Sequence, residues 1–530
     1  MICPYRAEEK DVATGAALDI PQLLARLPER IGHVIRPHAQ ARLDHPALID
    51  GTTSWSYGRL LSIVTDLAST LRDLSVRPGD RIMIVSENSL PLAALVLAAS
   101  EIDAWAVVVN PRLAPRELDQ IRDHAQPRRI FYVTAASPGA QDHTKRHDAL
   151  MQTLPGLGTL AVGRINPFAE QEPVHASGAE QVAALMYTSG TTGVPKGVML
   201  THRNLLFNAK VSGELRHLSP ADKMYGVLPM SHIVGLSNIL ISFLMFGATI
   251  QVVPRYDPAD LARAIADDDI SLLFGVPATF QRLLEYKATA GLASLPRGRL
   301  RYLGVAGAPL DKTLKARIEQ EFGLPLMNGY GITECGPGIS GVRPSAPCNH
   351  TGVGAPIPGV DVRIVGRDGA SLANGEIGEL HARGPGVMRG YYRAPELTWA
   401  AIDAEGWFNT GDLAQFEDGS LFIVGRSKEM IIRSGFNVYP AEVEAVLNAH
   451  PAVVQSAVVG RPVDGNEEVV AFVQLLPGAS ATTDDLKRHT AEQLTAYKRP
   501  STILCLEALP SSSTGKILKH QLAEAARQVL

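Results

Sequence analysis

Apolar and polar positions switch repeatedly between a helical and a strand period along the first part of the chain. Residues 57–74 carry apolar side chains at helical spacing, Val76-Arg-Pro-Gly-Asp80 is a turn, and Arg81-Ile-Met-Ile-Val85 is a short apolar strand. Residues 90–99 predict the next helix and 104–109 a buried strand. Asn110-Pro-Arg112 breaks that strand, and 116–123 resume a helix. The alternation continues through 261–268, 271–276, 280–287 and 302–306. Strands separated by helices predict a mostly parallel sheet covered by helices. The most apolar stretch, 235–254, is interrupted by Asn238, Gln251 and two glycines. It reads as a buried helix followed by a strand rather than a membrane span.

From Gly352 the pattern becomes strand-rich, with candidates at 360–365 and 378–383 between glycine-rich turns. Past Gly425 it changes again. Helix candidates at 441–449, 483–494 and 516–529 and strands at 453–459 and 469–475 make an α+β texture long enough for a small domain of its own.

Composition narrows the class without naming a reaction. A chain of 530 residues predicts roughly two to four folding units. A net charge of −4, with both signs interspersed, gives no nucleic-acid surface. Cys3, Cys335, Cys348 and Cys505 form no CxxC pair, which argues against a zinc site or a disulfide framework and suits a reducing cytoplasm. The first ten residues lack the apolar run of a secretory signal.

The chemistry begins at Tyr187-Thr-Ser-Gly-Thr-Thr-Gly-Val-Pro-Lys-Gly197. Thr188, Ser189, Thr191 and Thr192 supply hydroxyls. Gly190, Gly193 and Gly197 let the backbone N–H groups approach an anion, and Lys196 adds a mobile positive charge. Apolar residues on both sides predict a loop joining two strands. It is not a Walker A loop, because Lys196 precedes glycine rather than Ser or Thr, so a metal ligand has to come from elsewhere. Gly329-Tyr-Gly-Ile-Thr-Glu334 offers one. Tyr330 can stack on a purine, Thr333 can bond a phosphate, and Glu334 is the hard oxygen ligand that Mg²⁺ prefers.

These segments resemble the signature motifs of the adenylate-forming superfamily, in its acyl-CoA and aryl-CoA synthetase branch. The resemblance runs from about Trp55 to Ile517. It implies a large multi-layered N-terminal domain (1–425) with mostly parallel sheets and a β-rich subdomain, and a small α+β C-terminal lid (426–530), hinged near Lys428. It also implies site roles. Asp412 of Gly406-Trp-Phe-Asn-Thr-Gly-Asp412 would take the ribose hydroxyls, Arg426 ribose and phosphate, and Ser434 and Gly435 the pantetheine. Ala308, Pro309, Asn328, Gly329 and Gly331 fall around the adenine. Lys516 of Pro510-Ser-Ser-Ser-Thr-Gly-Lys516 matches the lysine that closes over the carboxylate and α-phosphate. His232 falls beside the reacting carboxylate. Val234, Ser237, Asn238, Ala306, Gly307, Pro337 and Gly338 fall at acyl-pocket positions, and Arg255 near the CoA 3′-phosphate.

No aspartate for a substrate ammonium lies near His232, which tilts the substrate toward a carboxylic acid without an α-amine. Val234 stands where hydroxycinnamate ligases often carry tyrosine, so the pocket is expected to be open at that end. The activity implied is an ATP-dependent acid–CoA ligase that uses ATP, Mg²⁺ and CoA on an aryl or medium-chain fatty acid and forms AMP and pyrophosphate. Loading of a carrier protein, or non-catalytic nucleotide binding, shares the same motifs. The resemblance leaves the oligomeric state open, a homodimer included.

Overall fold

The computed structural model describes residues 5–6, 19–188, 195–434, 436–463, 466–476, 478–511 and 517–528. Two large sheets dominate. In one, Arg81–Val85 lies between Trp105–Val109 and Arg129–Tyr132, all parallel. Val182–Thr188 joins beyond Trp105–Val109 and carries Lys196–Thr201 as its antiparallel neighbour. In the other, Lys223–Gly226, Leu272–Gly275, Tyr302–Val305 and Leu326–Gly331 run parallel, and Thr249–Val252 and Pro46–Asp50 extend the far side. Both sheets carry antiparallel edges, such as Leu150–Leu154 on one and Gly338–Gly341 on the other, so each is mixed.

Helix Leu90–Glu101 explains the layering. Its side chains from Leu92 to Ala99 are all fully buried, and it touches strands of both sheets. A helix that is apolar all round has no face to give to water and belongs between layers. Each fully buried Leu or Val contributes about 1.5–3 kcal/mol. Helix Tyr57–Asp73 lies beside it with a single buried stripe: Leu60, Val64, Leu67 and Leu71 face inward, and the Ser56 hydroxyl caps its first turn by accepting from the Arg59 N–H. The apolar stretch 235–254 is the expected helix and strand, with one refinement. Val234–Ile241 is a π-helix that continues into Ser242–Met245 before strand Thr249–Val252.

The β-rich sheet runs Asp361–Val365, Gly378–Arg383, Phe408–Glu417, Ser420–Arg426, all antiparallel, and its edge pairs with Tyr5–Arg6 from the other end of the chain. Beyond it, Val453–Val463, Asn466–Leu475 and Thr502–Leu506 form a three-stranded sheet packed by Pro440–Asn448, Thr483–Gln493 and Lys519–Gln528. The buried apolar residues here, from Ile431 to Ala526, cluster among themselves, which makes this a separate small C-terminal domain. No described helix is long and apolar enough to cross a membrane.

Candidate active site

Parallel sheets leave a crevice at the carboxyl ends of their strands, where loops with free backbone groups gather. That is where the sequence motifs fall. Lys223–Gly226 leads into the His232 loop, Tyr302–Val305 into Ala306, Gly307, Ala308 and Pro309, and Leu326–Gly331 into Thr333 and Glu334. In the neighbouring sheet Val182–Thr188 ends at the hydroxyl-rich loop, and Lys196 returns opposite Thr188. The loop therefore joins two antiparallel strands, as its flanking apolar residues predict. Ser189, Gly190, Thr191, Thr192 and Gly193, together with Gly435 and Lys516, lie outside the described residues.

Two motifs far apart in sequence meet at Asp412. The Tyr330 hydroxyl donates to its Oδ2 at 2.5 Å, and the Arg426 guanidinium stands 3.2 Å from Oδ1. Asp412 and Arg426 are cross-strand partners, so the sheet register itself sets their pairing. Burial, and then the Asp412 charge, push the Tyr330 phenol well above its ordinary pKa and keep it a donor. Gly331 is a close-approach position: a Cβ there would stand 2.0 Å from the Pro337 carbonyl oxygen. Thr333 opens a short 3₁₀ turn, Thr333–Cys335, and its hydroxyl makes no hydrogen bond among the described residues. Glu334 is half-buried, has no cationic partner among the described residues, and accepts one hydrogen bond at Oε1 from Tyr391 at 3.0 Å.

The His232 loop is braced from below. Asn88 donates to the carbonyls of Gly226, Leu228 and Val253 and accepts from the Met230 N–H. Gly235 lets the π-helix close on that loop, because a Cβ there would meet the Pro229 oxygen at 2.1 Å. His232 opens on the crevice, yet protein atoms crowd it. This burial lowers its pKa from 6.5 to about 4, and the imidazole is neutral at pH 7.

On the π-helix, Val234 is half-buried. The Ser237 hydroxyl is spent inside the protein on the Leu205 carbonyl at 3.1 Å. Asn238 is 9% exposed, and its Oδ1 finds no partner among the described residues. Asn328 is buried, donating to the Thr351 carbonyl, and Gly329 continues its strand toward Tyr330.

Pro337 and Gly338 are held by a residue that the sequence did not single out. The side-chain amide of Asn208 accepts from the Gly338 N–H at 2.8 Å and donates to the Cys335 carbonyl at 3.0 Å. Its neighbour one turn earlier, Asn204, donates to the Pro385 and Val387 carbonyls. The four-residue spacing of two amides on one helix was the available signal.

Arg255 is exposed and pairs with Glu87, whose buried carboxylate also binds Arg112. At the domain junction, Lys428 sits in the short turn Ser427–Glu429, where the Ser427 hydroxyl bonds Glu379. Ser434 stands in a left-handed conformation (φ 52°), and its N–H donates to the side-chain Oδ1 of Asn466 at 2.6 Å. Lys519, three residues after Lys516, is half-buried and pairs with Glu444 (2.7 Å) and Glu429 (3.4 Å). Burial opposes its charge, but the two carboxylates outweigh it and raise its pKa.

The AMP-binding enzyme model matches residues 35–392, and its C-terminal domain model residues 442–516. The chain belongs to the AMP-binding enzyme family. Within it, feruloyl-CoA synthase of Amycolatopsis sp is 34% identical over 493 residues, covering 92% of this chain and 96% of that one. 4-Coumarate–CoA ligase 5 of Oryza sativa subsp. japonica is 33% identical over 509 residues, covering 91% and 92%. Among solved structures, O-succinylbenzoate coenzyme A synthetase from Bacillus subtilis, in complex with ATP and magnesium ion, superposes with a TM-score of 0.79 at 28% identity, covering 92% of this chain and 99% of that one. The AMP-binding match thus spans both large sheets and their crevice, and the C-terminal family match falls within the small separate domain.

Proposed function

We propose that this protein is an ATP-dependent acid–CoA ligase that activates an apolar carboxylic acid, aryl or medium-chain fatty, as its acyl-adenylate and passes the acyl group to CoA. The observation that carries the reading is the convergence of Tyr330 and Arg426 on Asp412, with Glu334, four residues after Tyr330, linked through Tyr391 to Lys196. A carboxylate, with several lone pairs and no donor of its own, is the group suited to a ribose diol. The relatives named feruloyl-CoA synthase and 4-coumarate–CoA ligase support the thioester product and the aryl class. A relative named long-chain-fatty-acid–CoA ligase keeps the fatty class in range.

The chemistry needs positioning and charge stabilisation rather than a protein nucleophile. The substrate carboxylate attacks the α-phosphorus of ATP, the bond to the β-phosphate oxygen breaks, and pyrophosphate leaves. The CoA thiolate then attacks the acyl carbon and expels AMP. In this reading the 188–196 loop holds the phosphates, Thr333 bonds the α-phosphate, and neutral His232 lines the carboxylate. Ala308, Pro309 and Asn328–Gly331 frame the adenine. Val234, Asn238, Ala306, Gly307, Pro337 and Gly338 shape the acyl pocket, whereas Ser237 supports its wall. Ser434 and Gly435 face the pantetheine. Arg255 meets the CoA phosphates only if Glu87 shares it.

Glu334 fits a Mg²⁺ ligand: it is a hard, half-buried carboxylate without a cationic partner, and Mg²⁺ is usually held by one or two carboxylates plus substrate phosphates. The ion would neutralise phosphate charge. The lid, residues 426–530, would rotate about Lys428 and carry Lys516 to the α-phosphate for the first half-reaction.

The test is mass spectrometry after incubation with ATP, Mg²⁺, CoA and a panel of aryl, alicyclic and C2–C16 acids. One dominant CoA ester supports the reading and names the acid class. Acyl-AMP without a CoA ester moves the acceptor to a carrier protein, and neither product across the panel overturns the reading.

A further inference from the structure

Tyr391 lies between two charged residues of the candidate site. Its strand, Gly390–Tyr391, pairs antiparallel with Lys196–Thr201, with Tyr391 opposite Val198. The Lys196 ammonium stands 5.1 Å from the centre of the Tyr391 ring, and the Tyr391 hydroxyl donates to Glu334 Oε1 at 3.0 Å. The backbone locks the same junction: the Met388 N–H donates to the Glu334 carbonyl, and the Tyr392 N–H to the Gly197 carbonyl. Tyr391 itself is 7% exposed, and its own N–H is held by the Thr398 hydroxyl at 2.9 Å.

A lysine and a glutamate that share one neighbour would ordinarily pair with each other. Among the described residues Lys196 and Glu334 do not, and neither has another ion-pair partner. The tyrosine satisfies each with a different part of itself. The negative ring face attracts the ammonium, and the hydroxyl gives the carboxylate one oriented hydrogen bond. A carboxylate held at one oxygen keeps lone pairs for a cation, and an ammonium over a ring keeps its donors for an anion.

We infer that Tyr391 is a positioning residue that keeps Lys196 and Glu334 apart and orients Glu334 toward the metal ion that accompanies the triphosphate. The inference rests on the proposed role of Glu334.

The experiment titrates Mn²⁺, in place of Mg²⁺, into the full-length protein with ATP, and reads bound manganese by electron paramagnetic resonance. ATP binding without metal and the melting temperature are measured beside it. Tyr391→Phe keeps the ring and removes the donor. It should weaken manganese binding about 10–100-fold, the usual cost of losing a hydrogen bond to a ligating group. Metal-free ATP binding and melting temperature should stay at the wild-type values. Tyr391→Leu also removes the ring, so Lys196 can collapse onto Glu334. Metal-free ATP binding should then weaken too, and salt should restore part of it.

Tyr391→Phe with wild-type manganese binding overturns the inference. So does a Tyr391→Phe loss that is equal with and without metal. Glu334→Gln separates the two levels. If it weakens manganese binding while Tyr391→Phe does not, the role of Tyr391 alone falls; if it leaves manganese binding unchanged, both fall.

Discussion

The Tyr330 hydroxyl donates to Asp412 Oδ2 across 2.5 Å while Arg426 approaches the other oxygen at 3.2 Å. A ribose that binds Asp412 enters an arrangement already oriented by the tyrosine hydroxyl and the guanidinium. Tyr330→Phe removes one donor and leaves the ring. The expected result is a KM for ATP raised about tenfold, the usual size for one hydrogen bond to a charged group. The KM for CoA should not change, and pyrophosphate exchange measured beside steady-state turnover checks the split. Equal changes in both constants would contradict it.

Asn208 should matter for stability before it matters for rate. Its side chain satisfies the Gly338 N–H and the Cys335 carbonyl in a site that is 1% exposed. Asn208→Ala leaves both groups unpaired and opens a small cavity, a loss of about 2–4 kcal/mol. Urea denaturation of the purified variant reads this directly, provided that the two family domains are followed by separate probes. A loss below 1 kcal/mol would show that water replaces the amide.

The lowered pKa of His232 makes a pH statement. Its folded value, about 4, lies below the unfolded 6.5, so the unfolded chain binds the extra proton between those limits. The contribution of this group to stability is therefore complete above pH 6.5 and is lost as pH falls toward 4. The imidazole resonance followed by NMR should titrate with a midpoint well under 6. His232→Asn should remove that transition and leave the rest of the pH–stability curve in place. A midpoint near 6.5 would sink the neutral-histidine reading.

Lys516 is expected to serve only one half-reaction. Lys516→Ala should slow acyl-adenylate formation about 10²–10³-fold, as loss of a preorganised charge contact does. Decay of preformed adenylate with CoA should survive. Rapid-quench assays of each half-reaction separate them, and equal loss of both would contradict a moving lid.

The elements that hold this site were legible where one physical rule dominated. Apolar runs gave the buried strands 81–85 and 302–305 and the helix 90–101 within two residues at each end. Glycine-dense motifs gave the loops. What sequence could not give was long-range pairing. Tyr330 read as a stacking ring, and its hydroxyl turned out to serve Asp412, 82 positions away. Ser237 read as a pocket residue, and the phase of the π-helix turns its hydroxyl to the Leu205 carbonyl instead. Asn88, Asn208 and Tyr391 carried no local motif, because what they do depends on partners that only the tertiary fold brings near.

Lys519 ties the C-terminal helix to Glu444 in the small core and to Glu429, the residue after Lys428. Anyone exchanging this domain between relatives must therefore treat 429–519 as one cassette. A splice between Glu444 and Lys519 that lost either carboxylate would leave a half-buried ammonium short of one partner. The C-terminal helix would then lose its fixed bearing on the junction.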